Sequence, residues 1–448
     1  MNKKIRYIFL LLGILFFVAI KGFAQGGFVL LENKKKDKIP FELVNNLVVV
    51  SVEVNGTPLS FLLDTGVNST ILFSLANKDS LQINDAERVR LRGLGEGGSV
   101  EAIKSQNNTL KIGNTLDVDH TLYFIFESNL NLSPRMGIAV HGILGYDFFK
   151  NFVVKINYIS KKITVYKPEE YKQRKCRKCE DFDIIFHKNK PYIKASITSD
   201  SIRDEATFLV DTGSSDAFWL HNEENKIDEI NKNYFKDFLG FGLSGNIYGK
   251  RSKLPEISLG KFKFKNVKVA YPEKSAIENI KLFEERDGSI GGDIMKRFSV
   301  VFNYPEKKMV LKKNANFNDP FFYNMSGLTI EHDGISPIKE ISKQNFIQAE
   351  AKESEGFSNT VSIPIRDIVT FFLAPKFVVS EIREDSPAYK AGIVKDDEVI
   401  SVNGTPAYNY KLYELMDLFY SKAGKRISME INRNGENMKF KFILKEVL

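Results

Sequence analysis

Cysteine is nearly absent. The 448 residues hold two, Cys176 and Cys179, in one Cys-x-x-Cys set among Lys and Arg. A zinc site needs two more ligands and His187 is the only nearby candidate, so the pair reads as a small local disulfide or as two idle thiols. A thioredoxin-like redox role would need a βαβ context that this basic stretch lacks. Long apolar runs are missing as well, with one exception at the N-terminus. There Lys3, Lys4 and Arg6 precede the run Tyr7–Ile20, and Gly22-Phe23-Ala24 puts small residues three and one positions before Gln25. This is the pattern of a secretory signal peptide over residues 1–24, with an uncleaved anchor as the alternative; the run is short for a spanning helix. No cysteine follows the candidate cleavage site, which argues against a lipoprotein. The expectation is an exported chain located in the periplasm, the cell envelope or outside the cell.

A strong charge of one sign is also missing. The formal net charge is +8, but Lys3, Lys4, Arg6 and Lys21 carry four of the basic groups, and without them 60 Lys and Arg face 56 Asp and Glu. So slight an excess does not suit a nucleic-acid partner, or a membrane partner beyond the signal peptide. An apolar content of 43% with 27% charged residues excludes bulk disorder, collagen and coiled coil, and the length suggests about three domains.

What is present is an internal duplication. Phe61-Leu62-Leu63-Asp64-Thr65-Gly66 recurs as Phe208-Leu209-Val210-Asp211-Thr212-Gly213, and Gly93-x-Gly95-x-x-Gly98 recurs in the same register as Gly240-x-Gly242-x-x-Gly245. One residue is then lost, and Gly142-Ile143-Leu144-Gly145-Tyr146-Asp147 reappears as Gly288-Ser289-Ile290-Gly291-Gly292-Asp293. Lys150, Phe152, Val154, Asn157 and Tyr158 match Lys296, Phe298, Val300, Asn303 and Tyr304. The chain holds two copies of one lobe.

Each copy reads as mostly β. Leu47–Val54 and Leu59–Leu63 flank the Asn55-Gly56 turn, a strong hairpin signal. Lys155–Ile159 and Lys162–Tyr166 flank Ser160-Lys161, and Val300–Tyr304 with Met309–Leu311 repeats that arrangement. Tyr146–Phe152 and Gly292–Phe298 suit one short helix in each lobe. After Lys313 the pattern changes: Phe377–Ile382 reads as a strand, Ser386–Ile393 as a short helix, and Tyr410–Tyr420 as a helix with Leu412, Leu415, Met416 and Phe419 on one face. Ile427–Asn432 and Met438–Leu444 form a final hairpin around Asn434-Gly435. The polar, aperiodic stretch 341–362 reads as a flexible insertion.

Two strands that each end in Asp-Thr-Gly, related by duplication, point to a carboxylate pair on a pseudo-twofold axis. Two carboxylates about 3 Å apart cannot both ionise, so they share one proton. The ionised member takes a proton from a water between them while the protonated member polarises a carbonyl. Glycine after Asp-Thr permits the tight turn, and each threonine hydroxyl can bond into the opposite lobe.

On these residues the chain resembles the bilobed aspartic peptidases of the pepsin and retropepsin superfamily over about Ile39–Leu311. The resemblance implies Asp64 and Asp211 as the catalytic pair, with Thr65, Gly66, Thr212, Gly213, Ser214, Gly145 and Gly291 supporting it. Val67 departs from the family's usual Ala or Ser after Asp-Thr-Gly, which removes a possible hydrogen bond to Asp64. The two Gly-x-Gly-x-x-Gly runs lack the βαβ unit of a dinucleotide site. In this family their interval holds the flap, which implies Gly95, Glu96, Gly97, Gly242, Ser244 and Gly245 as substrate-binding flap residues. Glu96, Ser99, Asn246 and Tyr248 lie where tips could touch a peptide, with ordinary hairpin turns as the alternative.

The C-terminal segment looks like a PDZ domain of the bacterial envelope type, on Ser386-Pro387-Ala388, Ala391-Gly392-Ile393 and Asp396–Gly404. The resemblance implies Ser326, Gly327 and Leu328 as a carboxylate-binding loop and Leu412, Leu415 and Met416 as groove residues, with core packing as the other reading of those three.

The expected organisation is a signal peptide at 1–24, lobe 1 at 25–170, lobe 2 at 171–316 and a PDZ domain at 317–448: a mainly β chain of two pseudo-symmetric lobes followed by a PDZ domain. The expected function is an aspartic endopeptidase, monomeric and free of metal or organic cofactor, with a peptide or protein substrate and an extended or C-terminal peptide at the PDZ groove. A non-catalytic peptide-binding envelope protein on the same fold is the alternative.

Overall fold

Asn55 and Gly56 take φ of 46° and 85°, the left-handed backbone that a two-residue hairpin turn requires. They join strands Leu47–Val54 and Thr57–Leu63, paired with Val52 opposite Leu59. Asn434 and Gly435, at 54° and 91°, do the same between Arg426–Arg433 and Glu436–Ile443. A computed structural model describes residues 26–73, 81–95, 97–126, 130–173, 176–199, 202–221, 233–277, 283, 286–342 and 368–448. The signal-peptide segment 1–24 lies outside the described residues, as does the expected insertion apart from Ile341 and Ser342, which end strand Leu328–Ser342.

The chain divides into two units, one of residues 1–323 with 447–448 and one of residues 324–446. The first is built from three sheets. One nine-stranded sheet belongs to the first copy and one eight-stranded sheet to the second. In each, the strand leading into Asp-Thr-Gly pairs in parallel with the strand leading into the second glycine motif, Ile143 beside Leu62 in one and Ser289 beside Leu209 in the other.

The third sheet has six strands, three from each copy. At its centre Val153–Asn157 runs antiparallel to Phe298–Asn303, with Lys155 opposite Val301. These two positions are counterparts under the duplication, so the pseudo-twofold axis passes between them. One continuous apolar core fills both copies, from Phe61, Phe148 and Phe149 to Phe208, Phe298 and Phe302. Phe149 stacks on Tyr304 at 5.2 Å and meets Phe302 edge-on at 5.5 Å, which ties the copies together. The expected helices are short, Tyr146–Phe149 and Gly292–Met295.

The first unit extends past the expected boundary at 316. Phe317 packs on Phe262, Phe264 and Phe298, and the Tyr323 hydroxyl donates to Ser252 O at 2.6 Å, so burial and hydrogen bonding carry the unit to Tyr323. Cys176 and Cys179 are joined by a disulfide.

The second unit is a sheet in the order Leu328–Ser342, Ile368–Ile382, Glu398–Val402, Arg426–Arg433, Glu436–Ile443. Its helices are Pro387–Lys390, capped by the Ser386 side chain accepting from Tyr389 N–H, and Leu412–Asp417. The chain is mainly β throughout, as two pseudo-symmetric lobes followed by a smaller β domain.

Candidate active site

Asp64 and Asp211 follow directly on strands Thr57–Leu63 and Ile202–Val210. Each backbone N–H is held from the second glycine motif of its own copy: Asp64 N donates to Leu144 O at 3.0 Å and Asp211 N to Ile290 O at 2.9 Å. Between the copies the threonines interlock. Thr65 Oγ1 donates to Val210 O at 2.6 Å and accepts from Thr212 N–H at 3.1 Å; Thr212 Oγ1 donates to Leu63 O at 2.8 Å and accepts from Thr65 N–H at 3.0 Å. Both threonines are 1% exposed, so these bonds form away from competing water.

The interlock brings the two carboxyl groups together. Gly66 N–H donates to Asp64 Oδ1 at 2.6 Å and Gly213 N–H to Asp211 Oδ1 at 3.1 Å. A methyl on Gly66 would stand 2.8 Å from the Asp211 carboxyl carbon, and one on Gly213 would collide with the Asp64 carboxyl. Glycine is required here by the carboxylate of the opposite copy as well as by the turn. Gly145 and Gly291 are constrained in the same way by Val67 O, at 2.6 Å, and Ser214 O, at 2.9 Å. Burial, then the Asp211 carboxyl to which it is hydrogen-bonded, pushes Asp64 well above its ordinary value, while Gly66 N–H and Lys190 pull the other way. A raised carboxyl beside a second one is the arrangement in which a pair retains one proton.

Val67 does not make the two sides unequal in the way its side chain suggested. The Ser214 hydroxyl makes no hydrogen bond among the described residues, and its backbone N–H donates to Asp211 O at 3.3 Å. The two carboxylates are held by backbone rather than by the residue after Asp-Thr-Gly.

Both glycine-rich runs lie at hairpin tips, and the tips meet. Ser244 N–H donates to Leu94 O at 2.8 Å, Gly97 N–H to Ser244 O at 2.7 Å, Gly93 N–H to Ser244 Oγ at 3.2 Å, and Ser244 Oγ to Gly98 O at 2.9 Å. Gly95 and Gly245 adopt φ of 122° and 114°, and Gly242 lies too close to the Leu94 carbonyl for any side chain. Gly95, Gly97, Gly242, Ser244 and Gly245 are thus gathered in one clasp; Glu96 lies outside the described residues.

Sequence reasoning missed a group of basic and aromatic residues beside Asp211. Lys190 is half-buried and within electrostatic reach of Asp211 and Asp64; Arg286, 8% exposed, is within reach of Asp211 and Tyr192. Nothing local announces them, since Lys190 opens an ordinary hairpin strand.

In the second unit, the expected groove residues are largely taken up by packing. Leu412 and Leu415 are 1% and 0% exposed and belong to the core, because the helix turns its apolar face inward; Met416 is half-buried. The loop Ser326-Gly327-Leu328 offers no free donor either. Asn324 Oδ1 accepts from Ser326 N–H and Gly327 N–H at 3.0 and 3.1 Å, and Ser326 Oγ accepts from Leu328 N–H at 3.0 Å. These three N–H groups are therefore used inside the loop. Among the described residues, strand Leu328–Ser342 pairs along one edge only.

Two stretches match known domain families: residues 50–148 match the aspartyl protease family and residues 378–433 match the PDZ domain. The chain therefore carries an aspartyl protease domain and a PDZ domain. Among solved structures, an aspartic proteinase from Irpex lacteus is similar at a TM-score of 0.43 and 13% identity, covering 63% of this chain and 99% of that one. No curated protein matches the chain.

Proposed function

We propose that the protein is an exported aspartic endopeptidase in which Asp64 and Asp211 activate a water between them. The observation that carries this reading is the reciprocal Thr65–Thr212 interlock, which sets each carboxyl against the glycine of the other copy. With one proton shared, the ionised carboxylate takes a proton from the water as its oxygen attacks the peptide carbonyl, and the protonated carboxyl donates to the carbonyl oxygen. The tetrahedral carbon collapses when the amine leaves with a proton from the pair. Backbone donors Gly66 N–H and Gly213 N–H hold the carboxylates in place through the cycle. The clasped tips around Ser244 would cover an extended peptide and exclude water from it. For the PDZ domain, the proposed ligand is an extended peptide added to the open edge of Leu328–Ser342.

The test is peptide-library hydrolysis by the purified chain, with and without a statine-type inhibitor, beside Asp64→Asn and Asp211→Asn. Each variant is expected to lose at least about a thousandfold in kcat/KM, since two groups acting as a unit fail together, with an unchanged circular dichroism spectrum. Normal turnover by either variant overturns the reading. Peptide binding by the wild type without any hydrolysis would favour a peptide receptor instead.

A further inference from the structure

Beside Asp211 the second lobe holds positive charge that the proposed reaction does not use. Strand Lys190–Ser199 runs antiparallel to Ile202–Val210 with Tyr192 opposite Leu209. Continued by two residues, that register brings Lys190 level with Asp211. On the other side of Ile202–Val210, Ser289 pairs with Leu209 and, across a bulge between Thr207 and Phe208, Arg286 pairs directly with Thr207 and so shares its face. Alternate residues of a strand share a face, so Lys190, Tyr192 and Arg286 gather on the face that carries Asp211. The electrostatics agree: Lys190 feels Arg286, Asp211 and Asp64, and Arg286 feels Tyr192 and Asp211. Tyr192 packs on Phe283 at 5.0 Å, and His187 stacks on the same ring at 4.8 Å, which walls the group on one side. His221, held near a pKa of about 3 by burial and by Arg286, is neutral and adds no charge.

These two cations differ from other buried or half-buried ones. Arg251 bridges Asp216 and Asp237 at 2.7 Å each, Arg297 lies against Asp293, and Arg433 pairs with Asp397 at 2.6 Å. Arg286 has only its Nε bond to Gly288 O at 3.1 Å, and neither it nor Lys190 has a carboxylate partner among the described residues. Burying a guanidinium without an ionic partner is costly, and proteins rarely do so where nothing is to be bound. The pair of aspartates, sharing a proton, supplies a single negative charge for two cations.

We propose that Lys190 and Arg286 form a subsite for an acidic side chain of the substrate, within a residue or two of the scissile bond on the Asp211 side. The inference rests on the peptidase reading above and narrows it to peptides carrying Glu or Asp at one defined position. The carboxylate supplies the missing negative charge, and the guanidinium's remaining N–H groups offer it a planar pair of donors.

The experiment uses the full chain and C-terminally amidated peptides, so that no terminal carboxylate competes, in matched Glu and Gln pairs at each of the three positions on either side of the cleaved bond. At one position Glu is expected to raise kcat/KM at least about tenfold over Gln. Lys190→Met should bring that ratio close to one, and Lys190→Glu should shift the preference to Lys at the same position. Equal rates for every Glu and Gln pair, or an unchanged ratio in both variants, would overturn the proposal. If no peptide is cleaved, the peptidase reading fails by itself, and binding of labelled Glu and Gln peptides by the Asp64→Asn chain decides the subsite. Glu binding about tenfold tighter, lost in the Asp64→Asn, Lys190→Met double variant, supports it; equal binding overturns it.

Discussion

Asp147 and Asp293 occupy the same place in the duplication, yet their surroundings have diverged. Among the described residues Asp147 pairs with Lys150 alone, at 2.8 Å and partly in solvent. Asp293 is 4% exposed in its side chain and receives Lys268 at 2.8 Å, Lys296 at 2.9 Å and Arg297 at 3.5 Å. Burial pushes its carboxyl up, but Lys268, Lys296 and Arg297 together outweigh this and hold it well below the ordinary carboxylate range. A depressed folded-state value stabilises the protein above the unfolded value of about 3.9 and is lost as pH falls through the folded one. The wild type should therefore lose stability below about pH 4 in part through this residue. Asp293→Asn leaves buried cations unpaired and is expected to cost about 3 kcal/mol near neutral pH, with a flatter decline of stability under acid. Urea melts of both proteins at several pH values check this; identical slopes would rule it out.

The hairpin tips are the element in which the two copies clasp each other through Ser244, and under the proposed reading they cover the substrate. Ser244 accepts from Gly93 and donates to Gly98 through its side chain, while its backbone ties to Leu94 and Gly97. Ser244→Ala removes the two side-chain bonds and keeps the two backbone ones, a loss of about 1 kcal/mol for each bond. The tips should then open more often, with faster amide exchange at Gly97 and Ser244, and the melting temperature should move little because the tips pack on a small cluster around Trp219, Leu239 and Ile247 rather than on the main core. Gly242→Ala is expected to be more severe, since a methyl there meets the Leu94 carbonyl. Unchanged exchange at both amides in Ser244→Ala would mean that the backbone bonds alone hold the clasp.

For the whole molecule, the division after Tyr323 decides where the chain can be cut. Ending it at Asn314 would remove Phe317 from among Phe262, Phe264 and Phe298, and the Tyr323 hydroxyl from Ser252 O and Val269 O. Losing the half-buried Phe317 and the buried Tyr323 together costs about 3 kcal/mol or more. A chain ending at Tyr323 should thus melt well above one ending at Asn314. It should cleave short peptides about as well as the full chain and long unfolded proteins less well, because the second, tethered contact is gone. Equal activity of the full chain and the 1–323 chain on both substrate classes would leave the PDZ domain without a role in substrate capture.

The duplication, the hairpins and the two Asp-Thr-Gly turns were legible in the residues themselves, because turn chemistry and strand periodicity are local and a repeat displays its register directly. The order of strands around Asn55-Gly56 and Asn434-Gly435 needed nothing more. Other features rest on contacts between residues far apart in the chain. The Thr65–Thr212 interlock, the clasp at Ser244 and the approach of Lys190 and Arg286 to Asp211 exist only once the sheets are paired. Burial is likewise absent from residue type: Leu412 and Leu415 suit a groove or a core equally well by pattern, and the packing of the second unit turned them inward. Whether the N–H groups of Ser326, Gly327 and Leu328 stay free for a carboxylate depended on Asn324, whose Oδ1 accepts from three donors of the loop, and on the Ser326 hydroxyl, which takes Leu328 N–H. The sequence by itself determined which groups are present and in what local geometry; the tertiary structure decided which of them meet, which keep a free valence, and which are consumed by their neighbours.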